Sequence, residues 1–409
     1  MIGYFALLFY FENAHYININ RSFKAKKENK TALTRIYTYL FRVSYILVSM
    51  KKKVRIKDIA DKVGVSTGTV DRVLHNRGNV AADVKQQILD VVDELGYERN
   101  LLASALAYNR TVRIVALLPQ PEVDDYWRQI DSGLQKAAIS IKHYGVILEA
   151  IYFDYGNPKS FVEQAKKVLS KQIEGIVFPP MFSEEAKWLI EECHKKSIPN
   201  VMINTQLENP YSLSYIGQDS YQSGILAGRL LDFGLTEGQT ACIINLDYST
   251  KAAHHLHEKE RGFRDYFSKK NGKNIKIIRE NFEDFNDSQK LQIFLTEILQ
   301  KHKSLHSFFV TNSRSYKIVE SLEKITDKPI KIVGFDLIKE NLKYLQKDKI
   351  NFLINQNPSE QGFLGIINLF KHLILKEPVE KKQYLPLDIV VKENVNYYLR
   401  EGNNLSTFI

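Results

Sequence analysis

Two cysteines, Cys193 and Cys242, in 409 residues exclude a disulfide framework and any all-cysteine metal site. No run approaches eighteen consecutive apolar residues, so no membrane-spanning helix is expected. A phosphate-cradling Walker loop, a Gly-x-Ser-x-Gly elbow and a paired-cysteine motif are all missing. With no nucleophile constellation, no enzyme activity, cofactor or metal is expected. What is present is ordinary: 44% hydrophobic and 25% charged residues, which rules out wholesale disorder and collagen-like repetition.

The net charge is +10, enough to keep nucleic acid in view as a partner. It is unevenly placed. Residues 1–49 hold seven basic and two acidic side chains, residues 50–110 eleven and eight, and the remaining 299 residues 39 and 37. The first 49 residues also contain eleven Phe or Tyr and no Pro. Their apolar opening lacks a basic n-region and a small-residue cleavage site. The natural start is expected at Met50, with 1–49 a non-native or disordered extension. The competing reading is an interfacial membrane anchor, which would make the protein a membrane-tethered sugar-binding receptor.

The strongest local signal runs from Val54 to Leu74. Ile56, Ile59, Ala60 and Val63 recur at helical spacing, and Gly64 suits the left-handed end of a helix. Ser66 can cap a second helix whose buried stripe is Val70, Val73 and Leu74. A third amphipathic helix follows through Ile88, Leu89, Val92 and Leu95 to Gly96. A small Ala60, a turn glycine and Val65 are what two helices need to pack across a three- or four-residue turn. The pattern predicts a helix-turn-helix whose second helix enters the DNA major groove. Its exposed face carries Thr67, Gly68, Asp71 and Arg72, with Asn76 beyond it. Arg72 is suited to a guanine and Asp71 to a cytosine amino group, while Lys51–Lys53 and Lys57 suit phosphates.

These residues resemble the headpiece of the lactose-repressor (LacI/GalR) family. The family pattern Ile-Lys-Asp-Val-Ala, Ala-Gly-Val-Ser, Thr-Val-Ser-Arg-Val-Leu-Asn and Glu-Leu-Gly-Tyr stands here as Ile56–Ala60, Val63–Ser66, Thr69–His75 and Glu94–Tyr97. Asp71 replaces the usual Ser, Gly68 removes a side chain from the reading face, and Val80-Ala-Ala replaces the usual cap of the third helix. The resemblance implies a hinge helix at 100–107, with Asn100 and Ala103 at the DNA and Leu106 as the minor-groove wedge.

From Thr111, β-branched runs alternate with amphipathic stretches, predicting βαβ units and two parallel sheets. Strands are expected at 113–118, 146–153, 175–178, 200–204, 240–245, 307–311 and 331–335. Helices are expected at 126–143, 158–172, 183–197, 220–234, 258–270, 287–302 and 315–323. Ligands of such folds bind beyond the strand ends. Tyr126, Trp127, Asn204, Asn312, Asp336 and Gln356 follow strands in that way. His254, His255 and His257 lie in what reads as a loop after Asp247, without the cysteines or paired carboxylates of a zinc site. Gly224-Ile-Leu-Ala-Gly228 reads as a close-packing GxxxG.

This region resembles the same family's periplasmic-binding-protein-like sensor, through Tyr126-Trp127 before Gly133, Thr311-Asn-Ser, Val333-Gly-Phe-Asp336 and Asn355–Gly362. The resemblance implies aromatic stacking by Trp127 or Tyr126 on a sugar-like ligand. Hydroxyls would be shared by Asn204, Asn312, Asp336 and Gln356, with His254 donating from its loop. The family's Asp-Arg after the fourth strand is Asn204-Thr205 here, and Asn312-Ser313 lacks the Asp.

The expected organisation is an extension over 1–49, an all-α headpiece over 50–99, a hinge helix and linker over 100–110, and an α/β doubly wound effector domain over 111–409. Its N-subdomain is expected at about 111–214 and 356–378, its C-subdomain at about 215–355 and 379–400. The implied protein is a cytoplasmic transcriptional repressor binding a pseudo-palindromic double-stranded operator as a homodimer. A small carbohydrate effector would control it, with no membrane involved. The last nine residues lack a heptad pattern, so no tetramerising helix is expected.

Overall fold

The structure, a computed structural model, describes residues 54–74, 78, 80–97, 111–122, 124–246, 254–269 and 274–399. The N-terminal extension, the expected hinge helix and the expected DNA contacts Asn76, Asn100, Ala103 and Leu106 lie outside these residues. The chain divides into two compact units, residues 1–100 and 101–409.

In the first unit, helix α1 spans Ile56–Val63, α2 Thr67–Leu74 and α3 Ala82–Leu95. The amide of Arg55 donates to Asp58 at 2.8 Å, fixing the first turn of α1. Gly64 ends α1 at φ 78°, a conformation that strains any residue with a Cβ, and its N–H reaches the Ala60 carbonyl at 2.9 Å. The Ser66 hydroxyl then accepts the Thr69 N–H at 3.1 Å, so a serine starts α2 as its sequence predicts. Helix α3 begins at Ala81 without any side-chain cap. Ile59, Ala60, Val70, Val73 and Ile88 form the small core, flanked by Val84, Val91, Val92 and Leu95. Leu89 is 36% exposed, against expectation. Ile88 takes the inward phase of α3, and one residue further on the helix has turned outward.

The second unit holds two six-stranded sheets. The first half runs β1 (Val112–Pro119), α4 (Asp125–Ile141), β2 (Val146–Phe153), α5 (Pro158–Leu169), β3 (Gly175–Phe178), α6 (Ser183–Lys195), β4 (Asn200–Ile203) and β5 (Ser214–Gly217). The chain crosses into α7 (Ser220–Asp232), β6 (Thr240–Leu246), α8 (His254–Ser268), β7 (Lys276–Phe282), α9 (Ser288–Lys301), β8 (Leu305–Val310), α10 (Ser315–Ile325), β9 (Lys331–Phe335), α11 (Lys339–Leu345) and β10 (Phe352–Asn355). It returns through α12 (Pro358–Phe370) and β11 (Lys382–Tyr384), then crosses a third time into β12 (Asp388–Val390) and the short α13 (Val395–Tyr398).

The first sheet is ordered β11-β5-β4-β3-β1-β2 and wholly parallel. The second is ordered β12-β10-β9-β8-β6-β7, with β12 alone antiparallel. Strands such as β1, β3, β4 and β6 are apolar on both faces because helices cover both sides. Two subdomain limits differ from expectation. Ser214–Gly217 and Lys382–Tyr384 pair within the first sheet, so the first half extends to 217 and reclaims 382–384.

Each half clamps two helices face to face through glycine. A Cβ on Gly133 of α4 would stand 1.8 Å from the Ser359 carbonyl of α12, and one on Gly362 2.2 Å from that of Ile130. In the second half a Cβ on Gly224 of α7 would meet the Lys259 carbonyl of α8 at 2.0 Å, and one on Gly262 that of Tyr221 at 2.0 Å. The GxxxG glycines are therefore packing residues, with Gly228 lying against Tyr266. The three crossings meet at Gln218, whose side-chain amide donates to the carbonyls of Asn355 at 2.7 Å and Pro386 at 3.3 Å.

Candidate functional site

On the headpiece, Lys57, Ser66, Thr67, Gly68 and Arg72 are exposed and Asp71 is half-buried. Buried Val70 and Val73 anchor the opposite face of α2, leaving Thr67, Gly68 and Arg72 directed outward. This is the geometry a groove-reading helix requires. Lys62 reaches Glu94 at 2.6 Å, tying α1 to α3.

A second candidate site is a cleft lined by residues from both sheets of the large unit. Of the seven ligand residues picked from sequence, Tyr126, Trp127, Asn204, Asn312, Asp336 and Gln356 line it, and His254 does not. His254 is exposed, and His255 takes the cleft position instead. The segment is helical from residue 254, so His255 and Lys259, four residues apart, share a face that His254 leaves. Lys259 itself was not foreseen. Its only sequence signal was this i,i+4 relation to His255 on a helix.

Asn204 and Asp336 occupy matching positions at the ends of β4 and β9. Both have left-handed backbones, φ 64° and 68°, and both donate their N–H to the next strand at 3.1 Å, to Ile216 and Ile354. Holding non-glycine residues there turns their side chains off the sheet ends at a cost in strain. Their surroundings differ. The Asn204 amide donates to the Tyr126 hydroxyl at 2.6 Å, and that hydroxyl donates to Gln361 at 3.5 Å. Burial pushes the Tyr126 phenol well up, with the Asp336 carboxylate adding to the effect, so it stays a neutral donor. Trp127 meets Tyr126 edge to face at 5.2 Å.

In the second half Lys259 donates to the Thr311 carbonyl at 2.9 Å and lies 3.5 Å from the centre of the Phe335 ring. Asp336 accepts from the Gln356 side chain at 2.7 Å and its backbone N–H at 3.3 Å. Burial drives the carboxyl up and the ammonium down, each opposed by the other's charge. Asn312 is largely occupied, donating to the Leu246 carbonyl at 2.8 Å and accepting from the Arg314 N–H at 3.2 Å.

Several contacts among the described residues join the halves across the cleft, including Arg314 over the Tyr155 ring at 5.2 Å. Asp124 accepts from Ser313 at 3.1 Å and faces the Arg314 guanidinium at 3.5 Å. Thr205 meets His255 Nδ1 at 3.3 Å while donating to the Asn204 side chain at 3.0 Å. Burial, with Lys259 nearby, lowers the His255 pKa to about 3, so the imidazole is neutral. Because the Thr205 proton goes to Asn204, His255 supplies the proton on Nδ1. No cluster of His, Cys, Asp or Glu among the described residues could hold a metal ion. Nor is any helix among them long and apolar enough to cross a membrane.

A helix-turn-helix unit and a two-sheet unit enclosing a polar cleft together define a DNA-binding regulator with a domain like the sugar-binding proteins. Residues 115–377 match the periplasmic binding protein domain, and residues 55–100 match the bacterial regulatory proteins of the lacI family. The chain belongs to the periplasmic binding protein domain family and carries the lacI-family DNA-binding domain. Catabolite control protein A of Staphylococcus aureus is 28% identical over 200 residues, 49% of this chain and 57% of that protein. Its Staphylococcus xylosus counterpart is 32% identical over 153 residues, 37% and 44% of the two chains. The matched regions thus span about half the length of these relatives. Among solved structures, a LacI regulator from Bacteroides fragilis superposes with TM-score 0.64 at 26% identity, covering 71% of this chain and all of that one. GanP, a glucose-galactose binding protein from Geobacillus stearothermophilus, gives 0.61 at 26% identity, covering 70% and 99%.

Proposed function

We propose that the protein is a cytoplasmic repressor whose operator affinity is set by a small carbohydrate in the cleft. The observation that carries this reading is the convergence of Tyr126, Trp127, Asn204, Asn312, Asp336 and Gln356 on one cleft in a chain that carries a lacI-type headpiece over residues 55–100. Trp127 offers an aromatic face, and the amides and carboxylate offer hydroxyl partners. Two protomers set their headpieces on a pseudo-palindromic operator. Thr67, Gly68, Asp71 and Arg72 read bases, Lys57 holds phosphates, and Ser66 and Asn76 extend the contact. The hinge segment with Asn100, Ala103 and Leu106 adds the minor-groove contact. The effector acts by binding the closed and open cleft unequally, and it can shift operator affinity only by that difference.

The experiment is a salt-resolved gel shift on DNA flanking the chain's own gene, with and without sugars. One fragment should be preferred over bulk DNA, and a sugar that raises the melting temperature should change the operator Kd by a matching factor. Binding without any sequence preference would defeat the regulator reading. Operator binding indifferent to every bound sugar would defeat the ligand control.

A further inference from the structure

The charged groups that line the cleft among the described residues are Asp124, Asp336, Lys259 and Arg314, and His255 beside them is neutral. Asp124 faces Arg314 directly at 3.5 Å. Lys259 and Asp336 are 3% and 1% exposed, and each is bonded to other groups, Lys259 to Thr311 and Asp336 to Gln356. An ammonium has three N–H donors, of which Lys259 uses one, and a carboxylate offers about four lone-pair directions, of which Asp336 uses two. The first half offers less. The Tyr126 hydroxyl is already engaged on both sides, and the Asn204 side chain keeps only one N–H and one lone pair, both neutral.

Wherever the proton rests between Lys259 and Asp336, that pair sums to zero charge, and so does Asp124 with Arg314. Among the described residues the cleft is electrically balanced before a ligand enters. An anionic ligand would bury a charge with no free counter-charge among those residues, which is costly in a low-dielectric site. A hydroxyl has no such penalty, since it accepts from an ammonium and donates to a carboxylate at once.

We infer that the effector is an uncharged sugar that places neighbouring hydroxyls between Lys259 and Asp336, and that sugar acids and sugar phosphates are rejected. This rests on the ligand-controlled reading above and narrows it. The test is a thermal-shift and calorimetric titration of the full chain with D-glucose, D-galactose and D-arabinose, against D-glucuronate, D-galacturonate, D-glucose 6-phosphate and D-arabinose 5-phosphate. At least one neutral sugar should bind, with its acidic or phosphorylated counterpart at least 100-fold weaker. A charged member binding as well as its neutral parent overturns the inference and leaves the ligand-controlled reading standing. No shift with any member overturns both, while the gel shift still reports the DNA-binding role. Two variants then probe the balance. Asp336→Asn leaves Lys259 uncompensated and should narrow the acid-to-neutral discrimination at least tenfold. Lys259→Met leaves Asp336 uncompensated and should widen it. An unchanged ratio in whichever variant folds, or the same direction of change in both, overturns the charge-balance argument even if overall affinity falls.

Discussion

The two halves of the large unit follow the same strand order, the same glycine-mediated helix pairing and the same left-handed turn at the end of a central strand. They diverge in the side chain set on that turn. Asn204 in the first half is held in a neutral network with Tyr126 and Thr205, whereas Asp336 in the second faces a buried lysine with bonding capacity to spare. A common frame thus positions equivalent residues, and the chemistry placed on it differs, a neutral network in the first half and a carboxyl with a buried lysine in the second. Both residues keep some bonding capacity, neutral at Asn204 and charged at Asp336 and Lys259, and on the proposed reading the charged pair is where a ligand's hydroxyls would gain most.

If the frame is common, breaking it should hurt both halves alike. Gly133→Ala and Gly262→Ala each put a Cβ near 2 Å from a backbone carbonyl, and each should lower stability by about 3 kcal/mol, read from the denaturant midpoint. A large effect in only one half would break the equivalence. The functional contrast predicts that Asp336→Ala abolishes the response to an effector sugar while operator binding persists. Equal loss of DNA binding would make Asp336 structural. Asn204→Ala should have the smaller effect, about tenfold in sugar affinity by calorimetry, because its bonds are made within the protein.

Another contrast is in pH. The neutral His255 has its pKa lowered to about 3, so between there and the ordinary histidine value of about 6.5 the unfolded chain binds the extra proton. Its contribution to stability is whole above that window and falls as pH drops through it, by about 1.4 kcal/mol per unit. The Asp336 carboxyl, shifted upward, slopes the other way in acid, so the comparison must be wild type against His255→Gln. The variant should lose less stability between pH 6 and pH 4, and parallel curves would remove His255 from the closed cleft.

Much of this was legible because the signals were strong and local. Gly64 and Ser66 announce the helix-turn-helix through backbone chemistry alone, and β1 to β4 are apolar runs bounded by turns. The elements not foreseen carry weaker patterns. Strand β5 is four residues long, and β7 mixes Lys276, Arg279 and Glu280 into a half-buried edge. Helix α12 is buried almost all round, from Gln361 through Phe370, so it has no amphipathic stripe to read. The exchange of His254 for His255 is an error of phase. Reading the segment as a loop discards the 100° per residue that decides which side chain faces the cleft. Lys259 fell inside the helix expected at 258–270, but with His255 read as loop their shared face was not visible.

The amide of Gln218 has a mechanical consequence. It grips the second and third crossings from its place on the first, so the three strands of the hinge cannot slide past one another without breaking its bonds. Bending about that point keeps both bonds, whereas sliding or separating the crossings stretches them. On the proposed ligand-controlled reading, a sugar held in the cleft would set the angle between the two halves as a hand sets a pair of tongs.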